Sequence, residues 1–312
     1  MRFKQILRGI CNIIAFVFPF KKYNNGYYRQ SGIRAQIRGV VYTNKYIKKN
    51  RQYIEKIKKE LDSEYSQLPH NHSKIIWTCW LQGLDDAPDL VKACYRSLHK
   101  FIGNDYSIRL ITEKNYSDYC KLPDYIEKKY FDGKISNAHF SDLLRLELLN
   151  RYGGTWIDST ILCTDTLPDF MLCSDLFMPQ TVFWETEETA FRTENFFISA
   201  CQNNKILLMV QKLLYNYWEH HDSMPYYFMF YLFMEIAIEQ NYNEWKKVVA
   251  FPRANMHILL ERLYDSYDKQ VFDHIKELSP IHKLTYKKNN YELFFGNNET
   301  EYSNYNYIIK NY

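Results

Sequence analysis

Glycine is scarce, with 10 residues in a chain of 312, under half the usual share of about 7%. That shortage excludes architectures built on glycine, such as collagen and Gly-rich repeats. The sequence contains no G-x-G-x-x-G dinucleotide loop and no Walker A phosphate loop. The seven cysteines are odd in number and include no C-x-x-C. Several sit in apolar runs, so they read as small buried hydrophobes in a reducing compartment, not as a disulfide frame or zinc site. No uninterrupted apolar run reaches the roughly 20 residues of a membrane-spanning helix. Aromatic residues are in excess: 6 Trp, 28 Tyr and 20 Phe, 17% of the chain. With 46% hydrophobic residues overall, the chain has ample material for a core, and disorder is excluded.

The formal charge of +4 conceals an asymmetry. Residues 1–60 carry 15 Lys or Arg against Glu55 and Glu60, a net +13, which leaves −9 on the remainder. A basic end on an acidic body implies a polyanionic partner. The apolar run Ile10–Phe20, with basic residues before it and Lys21-Lys22 after it, points to lipid. It is too short to span, and no small-residue cleavage site follows. We expect an interfacial anchor that places a cytoplasmic protein peripherally on the inner face of the cell membrane. The competing expectation is a first helix buried against the body. No nucleic-acid module pattern is present, so no nucleic-acid partner is expected.

Residues 40–68 read as a Lys-rich helix with Ile47, Ile54, Ile57 and Leu61 on its apolar face. Lys74–Leu81 reads as a buried strand, and Pro88 opens a helix to about His99. Ser107–Thr112 is a second strand. Ser136–Arg151 is a strong helix, stopped by Gly153-Gly154, and Thr155–Asp158 is a short third strand. Two helical stretches, 204–220 and 225–240, follow. This alternation indicates an α/β fold with an open, mostly parallel sheet flanked by helices. The expected organisation is a basic helical extension over 1–70, a domain over 71–290 and a C-terminal tail over 291–312.

One unit joins helix, turn and strand around charged residues. His139, Asp142 and Arg145 recur every three residues on the helix, so successive members share a flank. The glycine pair reverses the chain. The strand then delivers Asp158 at its carboxyl end, the ligand edge of an open α/β sheet. Taken singly, an Asp–Arg pair is most often a surface salt bridge, and a lone Asp after a strand is most often a turn residue. Their order on a single unit is what points to a site. The cluster Glu185, Glu187 and Glu188 reads as a solvated charge run, with a place beside an acceptor as the other option.

The string A-x-x-S-D-x-x-R (Ala138–Arg145) followed by Y-G-G-x-x-x-D (Tyr152–Asp158) resembles the sugar-nucleotide site of glycosyltransferases with the GT-A fold. The similarity is to capsular polysaccharide synthesis proteins and the wider glycosyltransferase family 32, and more distantly to clostridial glucosylating toxins. It covers roughly residues 73–290. Lys74–Trp80, Leu110–Thr112 and Pro280–Leu284 fit the same pattern. The resemblance implies a GT-A type fold, a nucleotide-sugar donor, a glycan or lipid-linked oligosaccharide acceptor, and retention of anomeric configuration. It implies that Trp77 or Trp80 stacks on the nucleobase, that Asp142 holds the donor sugar, and that Arg145 faces the sugar and the diphosphate. Asn195 echoes a position near the donor sugar. Asp158 corresponds to the first Asp of a D-x-D motif that binds a divalent metal (Mn2+ or Mg2+), with His282 a late metal ligand and Lys283 a diphosphate ligand.

The pattern is broken at one point. The second Asp of D-x-D is Thr160 here, and a hydroxyl is a weak substitute for a carboxylate on a hard cation. Two readings follow from this. The chain is an active transferase with altered metal dependence, or it is a catalytically degenerate nucleotide-sugar-binding scaffold of a membrane polysaccharide assembly complex. Retention of Asp142, Arg145 and Asp158 favours the first.

Overall fold

The computed structural model describes residues 24–181, 191–287 and 302–312. The anchor expected over residues 1–22 and the cluster Glu185, Glu187 and Glu188 lie outside them. The chain runs from α1 (Asn24–Glu64) to β1 (Ile75–Cys79), α2 (Asp89–Phe101), β2 (Ser107–Ile111), α3 (Asp124–Phe131), α4 (Asn137–Tyr152) and β3 (Gly154–Ile157). Next come β4 (Ile161–Cys163), β5 (Leu176–Phe177) and β6 (Phe197–Ala200). Then follow α5 (Lys205–His220), α6 (Met229–Gln240), α7 (Arg253–Glu261), α8 (Lys269–Leu278), β7 (Ile281–Lys283) and α9 (Asn304–Asn311).

Five strands form one sheet in the order β2-β1-β3-β6-β5. β1 is parallel to both β2 and β3, whereas β6 is antiparallel to β3 and to β5. Four strands therefore share a direction and β6 alone opposes them. The fold is α/β with a mostly parallel sheet flanked by helices. β4 and β7 pair separately as an antiparallel ribbon.

Burial on both faces explains the near-continuous apolar strands. Trp77, Trp156 and Ile198 pack with Phe140, Leu143, Leu144 and Leu148 of α4 in one cluster. Their strand neighbours Ile76, Ile157 and Phe197 pack in another cluster with Leu98 of α2. Alternate residues of each strand thus serve opposite helical layers. α1 delivers Ile54, Ile57 and Leu61 to the first cluster as its periodicity predicts, but Tyr46 replaces Ile47, which is exposed. The helix also begins well before residue 40. Among the described residues, no helix is long and apolar enough to cross a membrane. The C-terminal segment, expected as a tail, ends in α9. The Ser303 side chain caps it by accepting from Asn306 N, and Ile308 is fully buried.

The helix–glycine–strand unit positions the site. The Ser136 side chain caps α4 by accepting from His139 N at 3.3 Å. Gly153 and Gly154 then take φ of 69° and 96°, a region other residues rarely adopt. A Cβ on Gly154 would lie 2.4 Å from the carbonyl oxygen of Ile75, so only glycine lets β3 seat against β1. Gly154→Ala is expected to destabilise the fold by more than about 2 kcal/mol. Urea denaturation checks this, and a loss under about 0.5 kcal/mol would contradict it.

Candidate active site

Beyond Cys79 and Ile157, the parallel strands β1 and β3 deliver Trp80 and Asp158 to the same edge of the sheet. A cleft of about 400 Å3 opens there, lined by Trp80, Asp142, Arg145, Asp158, Asn195 and Lys283 among others. Six of the eight residues singled out from the sequence therefore share one space.

Asp158 is the hub. Its Oδ1 accepts from Arg145 at 3.0 Å and from the indole N–H of Trp156 at 2.9 Å. Its Oδ2 accepts from Lys283 Nζ at 2.8 Å. Burial pushes this carboxyl up, but the charges of Lys283 and Arg145 outweigh it and hold the group below its ordinary value. It is therefore an anion at neutral pH. Arg145 is itself buried, with its guanidinium 4.8 Å from the Trp156 ring centre. It also donates to the backbone carbonyl of Asn195.

Asp142 lies one helical turn before Arg145, 3.4 Å from it. Asn195 Nδ2 donates to its Oδ1 at 2.9 Å. Its Oδ2 lies 3.3 Å from His139 Nδ1. The tautomer of His139 follows from the other ring nitrogen. Trp218 Nε1–H points at His139 Nε2 at 2.9 Å, and an indole N–H can only donate. Nε2 is therefore bare, so Nδ1 carries the proton and donates it to Asp142. A buried Trp218–His139 pair thus fixes the rotamer of Asp142.

His139 and Trp218 were not singled out as site residues, although the recurrence of His139 with Asp142 is a visible signal. Tyr231 and Glu194 were missed as well. The Tyr231 hydroxyl donates to Asn195 Oδ1 at 2.7 Å, and its pKa is raised well above the ordinary phenol value by burial and by Glu194. It therefore stays protonated as a donor. Glu194 is ion-paired with Arg253 at 2.6 Å. Tyr231 sits in the run Met224–Met234, which reads from the sequence as mostly core, with a Tyr-rich groove for stacking sugars as the other option. Tyr227, Phe228 and Tyr286 join Trp80 in an aromatic wall, with Trp80 and Tyr286 edge-to-face at 5.5 Å.

Two expectations are corrected. Trp77 is not a base platform, because it is 1% exposed and its Nε1–H donates to the Gly153 carbonyl at 3.0 Å. It ties β1 to the glycine turn. His282 does not reach the cleft. It is fully buried, and its Nε2 pairs with Thr164 Oγ1 at 3.0 Å. Adjacent strand residues face opposite ways, so Lys283 enters the cleft and His282 turns away.

The donor set also does not fit a divalent ion at Asp158. Lys283 Nζ already bridges Asp158 and Thr160 Oγ1, each at 2.8 Å. An ion there would have to displace an ammonium group and would find one carboxylate, one hydroxyl and no histidine. Among the described residues, no group of three or more His, Cys, Asp or Glu is arranged to hold a metal.

Burial depresses the His282 pKa to about 3, with Lys276 adding to the effect. The folded chain keeps this imidazole neutral, while the unfolded chain protonates it near 6.5. The unfolded state therefore holds the extra proton between those values, and stability rises with pH across that window. From about pH 7.5 down to about pH 5, this group alone should remove about 2 kcal/mol of stability. His282→Gln should flatten the pH dependence in urea melts by that amount, and an unchanged slope would contradict it.

The chain matches the capsular polysaccharide synthesis protein family over residues 28–304. It resembles the O-glycosyltransferase braB of Annulohypoxylon truncatum, 28% identical over 99 residues, covering 29% of this chain and 24% of that protein. It also resembles the probable glycosyltransferase FCK3 of Fusarium pseudograminearum, 25% identical over 161 residues, covering 48% of this chain and 40% of that protein. The chain thus spans less than half the length of these curated relatives. Among solved structures, the PaToxG glycosyltransferase aligns at 14% identity with a TM-score of 0.38, over 88% of this chain and 98% of that one.

Proposed function

Since the chain belongs to the capsular polysaccharide synthesis protein family, we propose that it is a glycosyltransferase. It moves a sugar from a nucleotide-sugar donor to a hydroxyl of a glycan or lipid-linked oligosaccharide acceptor, in bacterial capsular or surface polysaccharide synthesis. The observation that carries this reading is the convergence of Asp142, Arg145, Asp158, Asn195 and Lys283 on one cleft from distant parts of the chain. The curated relatives carry glycosyltransferase names, which supports it.

Roles follow from the chemistry of each group. Trp80 and Tyr286 offer aromatic surface for the nucleobase. Asp142 accepts hydrogen bonds from hydroxyls of the donor sugar. Both its oxygens already receive a protein donor, but each has a second lone pair. Arg145 and Lys283 supply positive charge where the diphosphate leaves, which is the main electrostatic demand of the reaction. The bond from the anomeric carbon to the diphosphate oxygen breaks, and its electron pair leaves with the diphosphate. The acceptor oxygen bonds to the anomeric carbon. In the retaining course that the motif resemblance supports, the acceptor's proton passes to the departing phosphate oxygen, so no separate base is required.

The test is transfer or donor hydrolysis across a panel of nucleotide sugars. Asp142→Asn is expected to lower kcat/KM by about 100-fold or more with an unchanged melting temperature. Unaltered turnover in that variant would remove Asp142 from the site. NMR of the product linkage should show the donor's anomeric configuration, and a cleanly inverted linkage would overturn retention.

The net +13 of residues 1–60 supports docking on the anionic inner leaflet, where lipid-linked acceptors lie. Deleting residues 1–22 should move the protein from the membrane to the soluble fraction. Unchanged fractionation would rule out this anchor.

A further inference from the structure

We propose that Lys283 is the resident cation of the diphosphate site and takes the place of a divalent metal. This inference rests on the glycosyltransferase reading and adds a charge mechanism to it. β7 pairs with β4 so that Lys283 stands opposite Ile161, and Leu284 N bonds to the Thr160 carbonyl at 2.9 Å. That register fixes the lysine backbone beside the segment Asp158-Ser159-Thr160. The ammonium then bonds to both flanking side chains of that tripeptide, Asp158 Oδ2 and Thr160 Oγ1, each at 2.8 Å. An ammonium has three hydrogens. Two are used there, and none of the hydrogen bonds described uses the third. The side chain is 24% exposed and lines the cleft, so the third is available to a phosphate oxygen.

The charge balance points the same way. A protein site for a hard divalent cation gathers carboxylates and so carries surplus negative charge. Around Asp158 that surplus is absent, because Arg145 and Lys283 face two carboxylates, Asp158 and, 3.4 Å from Arg145, Asp142. The threonine is part of this design. A hydroxyl accepts the lysine's hydrogen without adding a further negative charge, which keeps these side chains in balance and the lysine's charge open to the diphosphate. The lysine cannot drift either, because Asp158 holds it from one side and the Phe196 ring lies 5.5 Å away.

The experiment is calorimetric titration of the full chain with UDP, GDP, ADP and dTDP, in EDTA and again with Mn2+ or Mg2+. At least one of them should bind with similar affinity in both buffers. Lys283→Met should weaken that binding more than about tenfold in EDTA, whereas Lys283→Arg should keep most of it. Wild-type affinity that rises more than about tenfold on adding metal would overturn the inference and leave the transferase reading intact. A folded Lys283→Met variant that binds as tightly as wild type would also overturn it. If no nucleotide bound in either buffer, the nucleotide-sugar reading itself would fall.

Discussion

Asp158 is a carboxylate largely withdrawn from water, 22% exposed, and the cleft end of the molecule is arranged around the cost of doing so. Withdrawing a carboxylate from water is costly unless partners replace the lost hydration. Three groups replace it: Arg145 from α4, Trp156 from the same strand and Lys283 from β7. The lysine is 125 residues away in sequence. The ion pair therefore joins the late ribbon to the central sheet at the cleft. Arg145 is buried as well, and it transmits the constraint. Its contacts with Asn195 and Asp142 hold the start of β6 and the flank of α4 in one frame. Loss of Asp158 would leave the buried Arg145 with one carboxylate neighbour, Asp142, where it now has two, and would leave Lys283 with none, a costly change for a buried network.

Around that hub the site separates into two ends. Asp142 lines the cleft at one end and is oriented through His139 by Trp218, with every donor and acceptor in that chain fixed. The Asp158 end carries the two cations, Arg145 and Lys283. This division follows from geometry. A helix places Asp142 and Arg145 three residues apart on one flank, and only the arginine is long enough to reach across to the strand end. The aromatic residues form the remaining wall, so the large aromatic content of the chain serves the cleft as well as the core.

The helix over 136–151, the glycine pair and Asp158 were legible because their signals are local: a cap, a periodic stripe, a turn and a strand end. The parallel trio β1, β2 and β3 was legible for the same reason. β5 and β6 were not, since each is four residues or fewer and their antiparallel return depends on pairing across the sheet. Trp77 and Trp80 could not be separated from the sequence, because the run that holds them is apolar on both sides. The structure separates them by position, one inside the strand and one beyond its end. His282 and Lys283 are separated by strand geometry. Neighbours on a strand face opposite ways, so both could not serve one centre. Tyr231 was hidden by its surroundings, since an aromatic run at helical spacing looks the same whether it packs a core or lines a cleft.

Thr160 and Lys283 are best understood together. Viewed alone, threonine in place of a second aspartate looks like the loss of a ligand, and lysine in the late strand looks like a generic phosphate contact. The structure puts the two side chains 2.8 Å apart. A carboxylate at that position would have tipped the balance negative and called for an additional cation. A hydroxyl satisfies the ammonium and leaves its charge available. The same substitution that made the sequence pattern look incomplete thus makes the charge balance of the cleft suitable for an anionic ligand, provided that lysine is present. The two positions depend on each other, and their roles can be judged only as a pair.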